Sequence, residues 1–292
     1  MHFADAKGIL HGSNGFFGMN IYRGCTHGCI YCDSRSLCYQ FTHAFEDIEV
    51  KRNAPELLEK ALKARRKPCM ISTGSMSDPY MHCEEQLGLT RSCLKIMLRY
   101  GFGAAVQTKS DRILRDIDLL DEINQKAKCV AQMTLTTWDQ KLCRVIEPNV
   151  CDTQRRAEVL EEMKKRGVPA VVWLTPILPY INDTEENVRA VLEACFQAGV
   201  KGIICFDMGL TLRDGNREYY YAALDRHFPG LKEVYIRKYG NAYEVPSPSR
   251  DQLMRLFHEL CEKNHVLHRP EDCFAYLREF PERYRQMSLF GE

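Results

Sequence analysis

The chain has 292 residues, and its 40 lysine and arginine residues against 39 aspartate and glutamate residues give a formal net charge of +1. This balance argues against a protein that holds polyanions through a basic excess, and the composition, 45% hydrophobic and 27% charged, is typical of a soluble globular protein. No apolar run approaches the roughly 20 residues that span a bilayer, and residues 1–18 lack the basic and apolar regions of a signal peptide, so we expect a cytoplasmic protein without a membrane partner.

The first predicted strand, at residues 19–22, leads directly into a loop that carries Cys25, Cys29 and Cys32. Three thiolates that are separated by three and then two residues must face a common point. A cytoplasmic chain keeps such thiols reduced, so we do not expect a disulfide between them. The other cysteines, out of fourteen in the chain, are scattered and form no second CxxC pair. The spacing therefore predicts a metal ion or a metal cluster on this loop.

Short apolar segments then alternate with segments of helical spacing. The predicted strands lie at residues 69–73, 104–107, 129–135, 170–175 and 202–206, and the predicted helices at residues 53–67, 84–99, 111–124, 153–166 and 184–198. With the first strand, six strands alternate with helices, which is typical of an α/β protein with a parallel sheet and right-handed crossovers. We predict a partial (β/α)6 TIM-like barrel, although a doubly wound sheet has the same local pattern.

We assign residues 15–210 to this barrel and residues 211–292 to a C-terminal helical extension. No linker separates the two parts, so we expect the extension to pack on the barrel rather than to fold as an independent domain. In parallel α/β proteins the site lies at the carboxyl ends of the strands. The loops after the predicted strands, among them residues 74–80 and 108–110, should therefore meet the cysteine loop at one rim.

The number of thiolates distinguishes two kinds of metal site. A structural zinc ion has four protein ligands, usually in two CxxC-like pairs, whereas the three cysteines have no local fourth partner. His27 lies inside the motif, but we expect it to point away if the thiolates converge. A [4Fe-4S] cluster that is held by three thiolates has one iron open to a small molecule. The pattern favours such a cluster, and a non-catalytic, zinc-stabilised binding protein is the alternative.

The motif CxxxCxΦC, with Tyr31 at the aromatic position Φ, resembles the signature of the radical SAM superfamily. The resemblance covers residues 15–210. Within the superfamily the sequence resembles the spore photoproduct lyase-like branch, the SPL family, and more closely a subgroup that is sometimes encoded as a pair on mobile elements. The segments that carry this likeness are NIYRGC at 20–25, GSMSDPY at 74–80, LTR at 89–91, TKS at 108–110 and IEP at 146–148.

The resemblance implies an enzyme in which Cys25, Cys29 and Cys32 hold a [4Fe-4S] cluster and S-adenosylmethionine chelates the open iron. Reductive cleavage of S-adenosylmethionine then yields a 5′-deoxyadenosyl radical, which abstracts hydrogen from a substrate that the sequence does not identify. The resemblance also implies an external one-electron donor of the flavodoxin or ferredoxin type. The subgroup adds a second radical SAM protein as a partner.

The resemblance further implies which residues hold the parts of S-adenosylmethionine. They are Tyr31 and Ile177 for the adenine, Ser77 and then Ser75 for the amino group, Thr134 and Thr136 for the ribose, and Lys109 and Arg156 for the carboxylate. Each also has a structural interpretation. The serines can cap the turn that follows them, the threonines can be ordinary strand residues, the lysine can be solvated, and the arginine can pair with an acidic residue of its own helix.

Few residues are candidates for the radical chemistry itself. In spore photoproduct lyase a cysteine in the loop after the second strand returns a hydrogen to the product radical, whereas residues 74–77 contain no cysteine. We name Cys69, which precedes this loop, and Tyr80, which follows it, as catalytic candidates. Repair of a nucleic-acid lesion by a lyase of that type is a further alternative function, which the near-neutral charge weakens.

Overall fold

The computed structural model describes residues 1–13 and 15–281. The predicted extension, residues 211–292, is therefore described up to Pro281, and residues 282–292 lie outside the described part. None of the described helices is long and apolar enough to cross a membrane.

The strands of the described chain are, in order, β1 (His2–Ala4), β2 (Leu10–Ser13), β3 (Phe16–Met19), β4 (Tyr22–Arg23), β5 (Glu49–Lys51), β6 (Met70–Thr73), β7 (Gly103–Thr108), β8 (Cys129–Thr134), β9 (Ala170–Trp173), β10 (Gly202–Ile204), β11 (Gly209–Thr211) and β12 (Glu244–Pro246). Its α-helices are α1 (Ala54–Lys63), α2 (Glu84–Leu87), α3 (Leu89–Tyr100), α4 (Ile117–Lys126), α5 (Gln140–Ile146), α6 (Thr153–Lys165), α7 (Glu185–Gln197), α8 (Asn216–His227), α9 (Leu231–Tyr239), α10 (Arg250–Lys263) and α11 (Pro270–Arg278).

The main sheet has the strand order β10, β9, β8, β7, β6, β3, β2. All neighbours from β3 to β10 are parallel, and β2 pairs antiparallel with β3 at the edge. The six parallel strands follow one another in sequence order without a reversal, with at least one helix in each connection. A doubly wound sheet reverses its order at a switch point, whereas a barrel does not. The predicted partial (β/α)6 barrel is thus confirmed.

The first barrel strand lies three residues earlier than the predicted strand at 19–22. It is β3, in which Phe16 pairs with Met70 and Met19 with Thr73 of β6. Tyr22 belongs instead to β4, in a second sheet of order β1, β5, β4. Both segments are apolar, so composition does not distinguish them. The pairing with β6 decides which of them completes the barrel.

The inner face of the parallel sheet is covered by α11. Alternate strand residues form this face together with two residues of the helix, all of them buried: Met70, Ala105, Val130, Val171, Ile204, Cys273 and Leu277. Met70, Val130 and Val171 lie in the amino-terminal halves of their strands. The helix therefore closes the amino-terminal end of the partial barrel and leaves the carboxyl end for the site.

The described part of the extension also packs against the cysteine loop. A buried cluster joins Cys29, Ile30 and Tyr31 to side chains of α8 and α9, among them Tyr220 and Tyr235. The two tyrosine hydroxyls lie 3.0 Å apart, and that of Tyr235 donates to the carbonyl of Pro179 at 2.8 Å. The extension thus contacts the barrel at both of its ends.

Candidate active site

The cysteine loop is held by backbone contacts on two sides. Gly24 has a φ of +88°, and a Cβ at this position would lie 2.4 Å from the carbonyl oxygen of Phe45, so the close approach requires glycine. The next residue, Cys25, donates its N–H to the same carbonyl at 3.0 Å. On the other side, Ile30 donates its N–H to the carbonyl of Ile146 at 3.0 Å. These contacts set the path of the loop before any cofactor binds.

The three cysteines line one cavity at the carboxyl ends of the strands. The loop after β6, the end of β7 with the residue that follows it, and the last residue of β8 supply further lining residues: Gly74, Ser75, Met76, Ser77, Asp78, Gln107, Thr108, Lys109 and Thr134. Of the residues predicted from the sequence, the cavity brings together Cys25, Cys29, Cys32, Tyr31, Ser75, Ser77, Lys109 and Thr134. Thr136, Arg156, Ile177, Cys69 and Tyr80 are not among its lining residues.

Burial favours the protonated form of Cys25 and Cys29 in the absence of a cation. It raises the pKa of Cys25 to about 12, and it raises the pKa of Cys29 well above the usual value although the positive charge of Lys109 opposes the rise. The nearby Cys32 raises the pKa of both thiols further. A metal centre that binds here must therefore supply enough positive charge to displace these protons.

The spacing of the thiols distinguishes a cluster from a single metal ion. In the described chain, three His, Cys, Asp or Glu donor atoms lie within 4.8 Å of one another at His2, His43 and Glu49. The three cysteine sulfurs do not form such a group, so at least two of them are more than 4.8 Å apart. Around one zinc ion, with Zn–S bonds of about 2.3 Å, tetrahedral thiolates lie within about 4 Å of each other. The wider spacing and the all-sulfur donor set fit a [4Fe-4S] cluster.

Lys109 brings a positive charge to the cavity. Burial lowers its pKa, but the neighbouring Cys29, Glu147 and Asp78 outweigh that effect, and the pKa is raised above its usual value. The backbone N–H of Lys109 donates to Asp78 Oδ2 at 2.8 Å, while within the described residues its ammonium has no ion-pair partner. This ammonium is available to an anionic group in the cavity.

The two predicted serines have different surroundings. Ser77 is buried, and its hydroxyl donates to the carbonyl of Gly24, which joins the loop after β6 to the cysteine loop. Ser75 is exposed and lines the cavity. The close approach of this loop to β7 requires glycine at position 74, because a Cβ there would lie 2.0 Å from the carbonyl oxygen of Gln107. Ser75, rather than the preferred Ser77, therefore has the free hydroxyl.

Asp78 organises the rim of the cavity and was not identified from the sequence. Its carboxylate accepts from the hydroxyl of Thr108 at 2.7 Å and from the N–H groups of Tyr80 and Lys109 at 2.8 Å each. The carboxylate thus ties the loop after β6 to the end of β7. The available signal was an aspartate before a proline in the loop that follows a strand. Aspartate is a residue type that bonds to nearby backbone N–H groups.

A buried group of three side chains, the loop network, lies behind the cysteine loop and consists of Tyr31, Glu147 and Arg156. The hydroxyl of Tyr31 donates to Glu147, whose other oxygen accepts from Arg156. Burial alone would raise the pKa of Glu147, but Arg156, Lys109 and the Tyr31 hydroxyl hold it below the usual value. The segment at 146–148 carried the family likeness, but no role was predicted for Glu147.

The network corrects two of the sequence-based assignments. Arg156 has no exposed side-chain surface, and besides Glu147 it donates to the carbonyls of Thr134, at 2.9 Å, and Cys151, at 2.8 and 3.0 Å. Its side chain is therefore bound within the protein and does not line the cavity, and its acidic partner does not belong to its own helix. Thr136 is buried, with its hydroxyl 3.4 Å from Glu147 Oε1.

Three other predicted residues lie away from the cavity. Ile177 is fully buried in the main core, so it does not present a surface for the adenine. Tyr80 is fully buried, and its hydroxyl donates to Asp116 at 3.1 Å. Cys69 directly precedes β6, at the opposite end of the strand from the loop that lines the cavity. Neither of the catalytic candidates, Cys69 and Tyr80, therefore faces the cavity.

His27 lines the cavity, contrary to the expectation that it points away. Its side chain is buried, with Nδ1 3.4 Å from Asp78 Oδ2, and Nε2 has no hydrogen-bond partner among the described residues. Burial lowers the pKa of His27 although the adjacent carboxylate opposes the change. A neutral imidazole with an unpaired buried nitrogen indicates that a bound group completes this part of the cavity.

Comparisons with known proteins agree with this geometry. The chain is 27% identical to the uncharacterized protein Rv2578c of Mycobacterium tuberculosis over 269 residues, which cover 87% of this chain and 76% of the relative. It is 26% identical to the uncharacterized protein ORF301 of Acidianus two-tailed virus over 263 residues, 86% of this chain and 80% of the relative.

The fold is similar to that of a spore photoproduct lyase mutant with bound AdoMet and dinucleoside spore photoproduct. The TM-score is 0.61 at 13% sequence identity, with 86% of this chain and 75% of that chain covered. At this identity the likeness concerns the fold alone. The model of the radical SAM superfamily matches residues 19–195, which include the three cysteines and most of the barrel. The chain therefore belongs to the radical SAM superfamily, whose members bind a [4Fe-4S] cluster and S-adenosylmethionine.

Proposed function

We propose that this radical SAM enzyme abstracts hydrogen from a substrate that is not a polyanion and that enters at the carboxyl end of the barrel. When bound, the cluster and S-adenosylmethionine supply a 5′-deoxyadenosyl radical for this step. The observation that carries the proposal is the single cavity in which three cysteines, the loop after β6 and the ends of β7 and β8 meet. Since α11 fills the inner face of the barrel, access from the opposite end is closed.

Three cavity residues are proposed to hold S-adenosylmethionine. Lys109, whose ammonium has no ion-pair partner among the described residues, suits the carboxylate, and Ser75 has a hydroxyl that suits the amino group. Thr134, which lines the cavity at the end of β8, is proposed for the ribose. Asp78 holds the backbone of Lys109, and Arg156, which is paired with Glu147, donates to the carbonyl of Thr134. Orientation and exclusion of water are what a protein contributes to such chemistry.

The reaction is proposed to end without a hydrogen from a thiol of the protein. Among the described lining residues of the cavity, the cysteines are Cys25, Cys29 and Cys32, which hold the cluster. Two cysteines lie nearby but bond elsewhere. The thiol of Cys143 is 3.7 Å from Glu147 Oε2, and the thiol of Cys151 is 3.4 Å from the carbonyl oxygen of Lys109. This arrangement does not favour a lesion-repair lyase that returns a hydrogen from cysteine. Among the described lining residues Lys109 is the one lysine or arginine, and S-adenosylmethionine would occupy it, which likewise disfavours a nucleic-acid substrate.

Two partners belong to the same proposal. Reduction of the cluster needs an external one-electron donor, and we propose one of the flavodoxin or ferredoxin type. A second radical SAM protein is proposed only on the subgroup resemblance. A product that the purified chain forms alone would eliminate the need for that second protein.

The test is the anaerobically reconstituted full chain, assayed for iron and for 5′-deoxyadenosine after reduction with S-adenosylmethionine present. We expect about four irons per chain, absorption near 400 nm, and formation of 5′-deoxyadenosine. Cys29→Ala should lose the cluster and the activity, while Cys38→Ala, at an exposed cysteine outside the cavity, should retain both. Fewer than three irons in the wild type, or an intact cluster in Cys29→Ala, would contradict the function. Tight, salt-dependent DNA binding would contradict the choice of substrate class.

A further inference from the structure

We propose that His2, His43 and Glu49 form a second metal site, which binds a divalent transition metal such as Zn2+ through two imidazole nitrogens and one carboxylate. The donor atoms of these three residues lie within 4.8 Å of one another. None of them lines the cysteine cavity. The site does not depend on the substrate proposed above.

The local fold places the three side chains together. β1 and β5 are parallel neighbours, and their register sets His2 directly opposite Glu49. His43 reaches them from the segment that precedes β5, with its Nε2 atom 3.9 Å from Glu49 Oε2. The two imidazole rings meet edge to face, with their centroids 4.8 Å apart. Residues from three separate places in the sequence therefore converge on one point.

The hydrogen bonds of the two imidazole rings involve Nδ1, which leaves Nε2 of each ring available to a metal ion. The Nδ1 atom of His43 is 2.9 Å from the carbonyl oxygen of Ala44, and since a carbonyl only accepts, Nδ1 carries the proton and Nε2 has the lone pair. The Nδ1 atom of His2 is 2.9 Å from Asp47 Oδ2, which assigns its Nε2 the same role. A metal-binding histidine usually donates its other ring N–H to a carboxylate or a backbone carbonyl.

One donor atom of this group is buried without a partner. His43 Nε2 makes no hydrogen bond within the described chain, although its side chain is only 14% exposed. An unpaired buried acceptor is costly, and a bound cation would satisfy it. The side chains of Glu49 and His2 are 22% and 40% exposed, so an ion can enter from solvent. Two imidazoles, one carboxylate and an open position form a ligand set that zinc and other divalent transition metals accept.

The ion would also support the cysteine loop. Residues 43–49 connect His43 to Glu49, and within this segment the carbonyl of Phe45 accepts the N–H of Cys25 at 3.0 Å. The third strand of the same sheet, β4, runs directly into the loop. A metal that joins β1, β5 and this segment would therefore hold the acceptor of the Cys25 N–H in place.

The experiment uses the reconstituted holoenzyme with Met1 as its first residue, purified through a C-terminal tag without histidine, and treated with a chelator before titration with Zn2+. We expect one zinc per chain in addition to the cluster. His43→Ala should weaken binding by more than about 100-fold, and Asp47→Asn by about 10- to 100-fold. The matched control is His258→Ala. His258 is in ring contact with His268, with 5.2 Å between the centroids, but these two histidines have no third donor that would complete a metal site in the described chain.

X-ray absorption at the zinc edge then identifies the ligands. Nitrogen and oxygen at about 2.0–2.1 Å with no sulfur would support the site, whereas sulfur at about 2.3 Å would place the zinc on cysteines and overturn the proposal. The absence of stoichiometric zinc binding in the wild type would also overturn it. So would equal affinities of the wild type and His43→Ala. Circular dichroism of metal-free His43→Ala checks that the loss of binding is not a loss of fold.

Discussion

Two buried networks contain carboxylates from the connections between parallel strands, and they differ in how the negative charge is balanced. In the loop network, Glu147 and Arg156 both have no exposed side-chain surface, and the third member, Tyr31, belongs to the cysteine loop itself. One anion and one cation are therefore sealed together beside the cofactor cavity. Such a pair loses most of its hydration, so its stability depends on keeping both partners.

The second group, the helix network, consists of Glu84, Asp116, Arg115, Arg91 and Tyr22. The carboxylates of Glu84 and Asp116 are almost completely buried, but Arg115 is 31% exposed and Arg91 is 41% exposed. Arg115 binds both carboxylates at 2.8 Å, Arg91 binds Asp116 as well, and the hydroxyl of Tyr22 donates to Glu84. Two cations thus reach in from solvent to neutralise two buried anions.

The difference indicates different tasks. In the helix network Asp116 contacts two cations, and Glu84, whose one cation is Arg115, also accepts from the hydroxyl of Tyr22 and the N–H of Thr90. A single loss in this network should therefore affect stability and little else. The loop network has a single pair and fixes the residue between two of the cluster cysteines. A loss there should affect both stability and the cluster, and variants of matched residues can separate the two effects.

The largest effect is expected for Arg156→Met. The change leaves Glu147 buried without its cation, which should lower the free energy of unfolding by about 3–5 kcal/mol and reduce the iron content. Chemical denaturation and iron analysis of the anaerobic protein measure both. The double variant Glu147→Leu/Arg156→Met should recover most of the stability, since no unpaired charge remains. An Arg156→Met protein with the stability and iron content of the wild type would contradict the importance of the pair.

A smaller effect is expected for Arg115→Met in the helix network. Asp116 keeps Arg91, and Glu84 keeps the hydroxyl of Tyr22 and the N–H of Thr90 at 3.1 Å. The free energy of unfolding should therefore fall by about 2–3 kcal/mol, while the iron content and the yield of 5′-deoxyadenosine per folded chain stay unchanged. A loss of iron at unchanged stability would show that this group also serves the cofactor site.

The sharpest comparison is between Tyr31→Phe and Tyr22→Phe. Each change removes one buried hydroxyl that donates to a carboxylate, so each should lower the free energy of unfolding by about 1.5 kcal/mol. Only Tyr31→Phe should also change the electron paramagnetic resonance spectrum of the reduced cluster and slow the cleavage of S-adenosylmethionine. Identical spectra for the two variants would remove the distinction between the networks.

The smallest effect is expected for Arg91→Ala. Arg91 is the most exposed of the helix network cations, and Asp116 retains Arg115 when it is removed. The free energy of unfolding should fall by about 0.5–1 kcal/mol, with less of an effect at high salt because a partly exposed pair is screened. A loss as large as that of Arg115→Met would mean that the two cations are not redundant.

Several features of the site follow from the sequence because they depend on short stretches of chain. The spacing of Cys25, Cys29 and Cys32 constrains three thiols to one loop, and strand and helix periods predict the alternation that places loop ends at one rim. Lys109, Ser75 and Thr134 were named from the family resemblance, and each lies at the end of a strand or in the loop that follows it. Their roles toward S-adenosylmethionine remain predictions.

Contacts between distant segments decided the rest. Phe16–Met19 and residues 19–22 are both apolar, and only pairing with β6 selects the first as a barrel strand. Arg156 finds its partner, Glu147, on a different element, and Cys69 is separated from the cavity by the length of a strand. Local patterns carry no information on which surfaces meet across the fold, because that choice depends on the packing of the whole core. For this reason the sequence determined the cofactor loop and the barrel, and only the tertiary structure decided which side chains face the cavity.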